Sequence, residues 1–178
     1  MTDKELVKGC LRQNAGCQRL LFEQYAGSMM TVCRRYAADQ QEAEDMLQSA
    51  FIRVFAYIHQ YKFEGPLGAW ITRVTVNAAL TLLKTKKTAF LELGEQHQSF
   101  HSIDPDALSN LNEEELLRLI SRLPEGYRIV FNLYVLEGYN HDEIGELLNI
   151  KPATSRSQLS KARRMLQEQI TSQQKIVK

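Results

Sequence analysis

No stretch of about 18 apolar residues runs through the 178-residue chain, which removes a membrane-spanning helix from consideration. The N-terminus, Met1-Thr2-Asp3-Lys4-Glu5, is charged and lacks the apolar segment of a secretory signal, so a cytoplasmic location is the expectation. Cysteine is scarce. Cys10, Cys17 and Cys33 are odd in number and show no CxxC spacing, which indicates neither a disulfide framework nor a zinc site. Three reduced thiols packed in or beside a core are expected instead. A GxxxxGK phosphate loop, GxSxG and HExxH are all missing, which speaks against an enzyme. His97 and His101 stand four apart but lack a third ligand of suitable spacing, so they read as solvated. No catalytic residue, metal or cofactor is implied.

A charge excess of one sign is also absent, the formal net charge being only +1. The distribution says more than the total. From Thr88 to Leu117 there is no Lys or Arg, while Glu92, Glu95, Asp104, Asp106 and Glu113 to Glu115 are acidic. From Asn149 to Gln167 the pattern reverses: Lys151, Arg156, Lys161, Arg163 and Arg164 occur without a carboxylate. A near-neutral sum conceals an acidic middle and a basic segment near the end.

Strand-like alternation does not occur, and helical periodicity is nearly continuous. Thr2 and Glu5 have capping-box spacing ahead of Leu6, Val7, Cys10 and Leu11. After a break at Asn14-Ala15-Gly16, Leu20, Leu21, Tyr25 and Met29 recur at helical intervals. A third helix keeps Ala43, Met46, Leu47, Ala50, Phe51, Val54, Phe55 and Ile58 on one face, with Glu42, Asp45, Gln48 and Arg53 directed away. Gly and Pro make Phe63-Glu64-Gly65-Pro66-Leu67-Gly68 a loop. A fourth helix follows, with Ile71, Val74, Ala78 and Leu82 inward, and ends in Lys84-Thr85-Lys86-Lys87. Residues 89–112 lose periodicity and read as an acidic linker. Helix returns with Leu116, Leu117, Ile120 and Leu123, stops at Pro124-Glu125-Gly126, and resumes as a buried central helix from Tyr127 to Leu136, ended by Gly138. The expected fold is all-α: two helical domains, 1–88 and 113–178, joined by the linker.

Chemistry concentrates after Gly138. Asn140 with Glu143 three residues later is a helix start, and Ile144, Leu147 and Leu148 give a short helix its inner face. Asn149 tolerates the left-handed conformation, and Pro152 suits a first helical position. Short helix, three-residue turn and second helix make a helix-turn-helix, with Gly145 permitting close approach. Lys151 stands where a capping Ser, Thr or Asp is expected. On the second helix Leu159, Ala162 and Leu166 point inward, while Ser157, Ser160, Lys161 and Arg164 share the opposite stripe, flanked by Arg156 and Gln158. The N-terminal part of such a helix reaches base edges in the major groove, and Arg, Lys and Gln make specific contacts there. Solvent faces usually mix signs, so a purely basic face points to nucleic acid.

These motifs resemble, in order and over nearly the whole chain, the extracytoplasmic-function (ECF) sigma factors of RNA polymerase. Glu42-Ala43-Glu44-Asp45-Met46-Leu47-Gln48-Ser49-Ala50-Phe51 is similar to the family's region 2.2. Trp70-Ile71-Thr72-Arg73-Val74 with Asn77 resembles regions 2.3 to 2.4, and Leu123 to Phe131 with the helix-turn-helix resembles region 4. The resemblance implies a sigma2-like domain, a sigma4-like domain and a non-catalytic role in promoter recognition, melting and initiation. Glu44, Asp45 and Gln48 would meet the β′ clamp helices of core polymerase, with Phe51 nearer the core. The loop with Phe63, Glu64 and Gly65 would capture an unstacked −10 base, with Asn77, Thr81, Lys84 and Lys87 beside the melting DNA. Arg156, Ser157, Gln158, Ser160, Lys161, Arg163 and Arg164 would read the −35 element, and the β flap and an anti-sigma factor complete the implied partners.

The chain departs from the family pattern where Leu80-Thr81-Leu82-Leu83-Lys84-Thr85-Lys86-Lys87 puts Lys where Arg is usual, and where Pro66 stiffens a short loop. Trp70 and Tyr127 read as structural aromatics. Two other functions fit less well: a stand-alone helix-turn-helix regulator, for which no heptad dimerisation helix exists, and a decoy for an anti-sigma factor, which the basic second helix opposes.

Overall fold

Helix α1 (Asp3–Leu11) starts at the capping box expected for it: Thr2 Oγ1 accepts from Glu5 N at 3.3 Å, and Glu5 Oε2 accepts from Thr2 N at 2.8 Å. The computed structural model describes residues 2–88 and 113–176. Gln13, with φ 56°, turns the chain, and Asn14 then caps α2 (Ala15–Tyr36) by accepting from Cys17 N at 2.9 Å. Asp39 does the same for α3 (Gln40–Tyr57), accepting from Glu42 N at 2.8 Å. A 3₁₀ turn, Ile58–Gln60, and the Gly-Pro loop lead to α4 (Leu67–Thr88).

α4 packs against both α2 and α3, and this sets which residues are buried. Leu21, Tyr36, Met46, Leu67 and Ile71 are fully enclosed. Phe51 meets Phe22 edge-on, with ring centroids 4.7 Å apart. Contact on two sides widens the apolar band of α4 to Ile71, Thr75, Val76, Ala78, Ala79, Leu80 and Leu83. Val74 and Leu82, expected inward, are only half-buried, and Leu20 is exposed beside a buried Leu21. Thr75 is tolerated in the interior because its hydroxyl donates to the Ile71 carbonyl at 2.9 Å.

Glu42 requires a second correction. Rather than pointing away from the apolar face, it is buried, and its carboxylate accepts from Ala38 N at 2.6 Å, closing the corner between α2 and α3. The cysteines are free, with Cys10 and Cys33 buried and Cys17 half-buried. Burial pushes the Cys33 thiol up to about 12 and raises that of Cys10.

α1 to α4 lie in one compact unit, Met1–Leu93, and the remaining helices in a second, Gly94–Lys178. The acidic linker expected over 89–112, with His97 and His101, lies outside the described residues. In the second unit α5 (Glu113–Ser121) leads through Pro124 to α6 (Glu125–Phe131). The single helix expected from Tyr127 to Leu136 is interrupted: Asn132–Leu136 widens into a π-helical turn in which Glu137 N bonds to the Asn132 carbonyl at 3.0 Å. Val135 is consequently exposed, while Ile129, Val130, Phe131 and Leu133 stay buried. α7 (His141–Leu148) and α8 (Pro152–Ile176) complete the unit, α8 packing on α5, α6 and α7 through Leu159, Ala162, Leu166 and Ile170.

Candidate functional site

Local rules build the turn between α7 and α8. Asn140 Oδ1 accepts from Asp142 N and Glu143 N, both at 2.9 Å, and Glu143 Oε2 accepts from Asn140 N at 2.7 Å. After eight helical residues the chain reaches Asn149, which adopts φ 55° and ψ 48°. Ile150 N then donates to the Gly145 carbonyl at 3.0 Å. A Cβ on Gly145 would stand 2.8 Å from Ile150 O, so only glycine lets the chain fold back this tightly. Pro152 opens α8 as expected.

Leu159, Ala162 and Leu166 face inward as the spacing predicts. At the N-terminal end of α8, Arg156 and Ser157 are exposed, as are Lys151 and Ala153. Lys151, which stands where a capping side chain is expected, is thus exposed in the turn just ahead of α8. Gln158 is half-buried, with its amide nitrogen 3.5 Å from the place a Gly126 Cβ would occupy, so it turns toward α6. Ser160 and Arg163 are half-buried, and the Arg163 guanidinium lies 5.8 Å from the Tyr134 ring centroid. Arg164 Nε is 3.6 Å from a Glu168 carboxylate oxygen.

Lys161 is not on the outer stripe. It is 9% exposed, with its ammonium 5.7 Å from the Tyr127 ring centroid, on the side of α8 that faces α6. α8 packs against several helices, so its buried arc extends past the Leu159–Ala162–Leu166 line and takes in Lys161. Beside this arc His141 stacks on Tyr134, with centroids 4.4 Å apart and 21° between planes, and its Nδ1 is 2.9 Å from Ser155 Oγ. Burial lowers the basicity of His141; Arg156 and Arg163 act in the same direction and Asp142 opposes them.

In the first unit the 61–66 loop borders a cleft of about 330 Å³, lined in part by Tyr61, Glu64, Gly65, Trp70 and Arg73. Tyr61 OH donates to the Gly65 carbonyl at 2.7 Å, bracing the loop. Phe63, exposed and at φ 59°, packs on Tyr61 with ring centroids 4.8 Å apart and stands outside the lining. Trp70 belongs to the cleft wall, as does Arg73, which sequence reasoning quoted without assigning it a site role. From there Ala69, Arg73, Asn77, Thr81 and Lys84 form one exposed stripe along α4. Thr81 Oγ1 accepts from Arg53 Nη1 at 3.1 Å and donates to the Asn77 carbonyl at 2.7 Å, which ties this position to α3. The side chain of Lys87 falls outside the described residues.

On α3, Glu44, Asp45 and Gln48 are exposed and Phe51 is buried. Ile52, one turn beyond Gln48 and 65% exposed, adds an apolar group to this acidic face. Its signal in the sequence is an isoleucine off the apolar stripe of α3.

Two sequence signatures match in the order of these features: "Sigma-70 region 2" over residues 21–88 and "Sigma-70, region 4" over residues 113–166, together more than half of the chain. The chain belongs to the sigma-70 family. The ECF RNA polymerase sigma factor SigE of Mycolicibacterium smegmatis is 28% identical across 83% of this chain and 59% of its own length, so this chain spans little more than half of that relative. SigW of Bacillus subtilis is 27% identical over 82% of this chain and 84% of its own, and the sigma-E factor of Haemophilus influenzae 23% identical over 96% of each. This is an ECF-type sigma factor. Its fold is shared with CnrH in complex with the cytosolic domain of CnrY (TM-score 0.51, 16% identity, 96% and 97% of the two chains). The sigma factor RpoE in complex with the anti-sigma factor NepR, from Bartonella quintana, is alike to the same degree (TM-score 0.51, 15% identity, 84% and 94%). Region 2 of this sigma factor thus holds the cleft, the α4 stripe and the acidic α3 face, and region 4 holds the helix-turn-helix.

Proposed function

We infer that this sigma factor binds core RNA polymerase and directs promoter recognition, DNA melting and initiation, while the polymerase supplies the catalysis. The observation that carries the reading is the pairing of regions 2 and 4 in one chain with a built helix-turn-helix whose leading end exposes Arg156. Arg156 and Ser157 contact the −35 element first, with Lys151 at the phosphate backbone. Gln158, Ser160, Arg163 and Arg164 are half-buried behind them and adjust on contact with the groove. Lys161 supports the helix through Tyr127. The 61–66 cleft receives an unstacked −10 base, whose lost stacking Trp70 offsets, and Arg73, Asn77, Lys84 and Lys87 follow the strand.

Glu44, Asp45, Gln48 and Ile52 dock on the β′ clamp helices, and region 4 meets the β flap. The work is done in the cytoplasm, where the polymerase is. The two solved relatives each hold a second protein, and a regulator of that kind, an anti-sigma factor, is the further partner proposed.

Reconstitution tests the reading. The full chain mixed with core polymerase from its own bacterium should co-elute with it and create new start sites on genomic templates. Absence of binding, where a second sigma factor binds the same core, would sink the proposal and favour the stand-alone helix-turn-helix regulator.

A further inference from the structure

The recognition helix must leave the turn at a defined angle, because a small rotation at Pro152 displaces Arg156 and Ser157 relative to base edges. Capping and the left-handed Asn149 fix the backbone of the turn but not the roll of α8 against α7. A polar contact between side chains of these two helices crosses that joint: His141 Nδ1 and Ser155 Oγ lie 2.9 Å apart. Ser155 is fully buried, so its hydroxyl needs this partner. His141 is in turn held on its ring face by Tyr134 of the π-helical turn, at 4.4 Å and 21°. Tyr134 also carries the Arg163 guanidinium 5.8 Å from its ring centroid, so a second α8 residue reports on the same stack. The charged groups that act on the imidazole are Arg156 and Arg163 on α8 and, in the opposite direction, Asp142 on its own helix. His141 therefore sits at the junction of three elements without itself belonging to the exposed basic face.

We propose that His141 is a positioning residue for −35 recognition: clamped by Tyr134 and hydrogen-bonded to Ser155, it sets the roll of α8 and so the aim of Arg156 and Ser157. The inference rests on the −35 reading of α8. It makes sequence discrimination, more than general DNA affinity, depend on a side chain that touches no base.

The test uses the full chain with core polymerase and a duplex carrying the −35 sequence selected from a randomised pool by that holoenzyme. His141→Phe keeps the ring and removes the hydrogen bond; Ser155→Ala removes the other partner with little change of volume. Each should bind the selected duplex about fivefold more weakly, the weight of one neutral hydrogen bond. A scrambled duplex should be bound as before, and the double variant should lose no more than either single one. The dependence of affinity on salt should not change, since no phosphate contact is removed.

A purely structural role would lower binding to both duplexes alike, or to neither, and would overturn the proposal. So would additive losses, or a salt slope reduced by about 1, which would mark a direct phosphate contact. Should His141→Phe fail to fold, Ser155→Ala alone decides. If the wild-type holoenzyme selects no −35 sequence, the reading of α8 itself fails; if it selects one and the variants bind it equally, only the role of His141 does.

Discussion

Burial and neighbouring charge push His141 the same way: desolvation first, then the guanidinium groups of Arg156 and Arg163, lower its basicity from the usual 6.5, against a smaller pull from Asp142. A histidine that holds its proton less tightly when folded makes the unfolded chain the better base. Its contribution to stability is therefore complete above about pH 6.5 and is lost as pH falls through the lower folded-state value. Melting of the full chain, followed by a probe in region 4, should show a steeper fall of Tm toward roughly pH 5 for wild type than for His141→Phe. Parallel curves would mean that the imidazole does not titrate against the fold. Arg156 and Lys161 separate in another way. Arg156 is exposed, so Arg156→Ala should lower the salt slope of DNA binding by about 1. Lys161, enclosed over Tyr127, should when changed to Ala lower Tm and leave that slope intact. Equal slope changes in titrations at graded salt would put Lys161 back on the DNA face.

A helix-turn-helix is a short-range object, and its elements constrain one another tightly. Asn149→Ala should cost roughly 1–2 kcal/mol because an ordinary side chain resists the left-handed region, whereas Asn149→Gly should cost far less. Gly145→Ala drives a methyl group against Ile150 O, which the Ile150 N–H bond back to Gly145 holds in place, and should cost about 1–3 kcal/mol. Urea unfolding of region 4 measures both; an unchanged midpoint for Gly145→Ala would show that the turn can relax. Capping boxes, the Asn149 turn and the Pro152 start were legible in the sequence for the same reason: each depends on residues within a few positions. Glu42 and Lys161 were misplaced because spacing gives the direction of a buried face but not its width. That width depends on how many helices pack on it, which no window of one helix contains. On α4 the direction itself is shifted, from Val74 and Leu82 toward Val76, Ala79 and Leu83. The π-helical turn at Asn132–Leu136 left no mark in the apolar pattern that predicted a plain helix there.

At the scale of the molecule, a net charge of +1 is the sum of segments of opposite charge. The face of α3 offers carboxylates around an apolar Ile52, suited to a basic protein surface, while the leading end of α8 offers cations suited to phosphate and guanine. Each lies on a unit with its own core, so the two functions should come apart by mutation. Asp45→Lys reverses one exposed charge on α3 and buries nothing new, so folding should be intact. In competition with a second sigma factor for limiting core polymerase, it should lower the share of holoenzyme about tenfold, as expected of a charge reversal at a protein interface. Ile52→Glu should act in the same direction through lost apolar contact, with less sensitivity to salt. Neither change alters the charge or packing of α8, so cross-linking of region 4 to a −35 duplex by the free chain should be unchanged. Loss of that cross-link with holoenzyme assembly preserved would mean that the α3 face serves DNA, and that the polymerase is held by another surface of region 2.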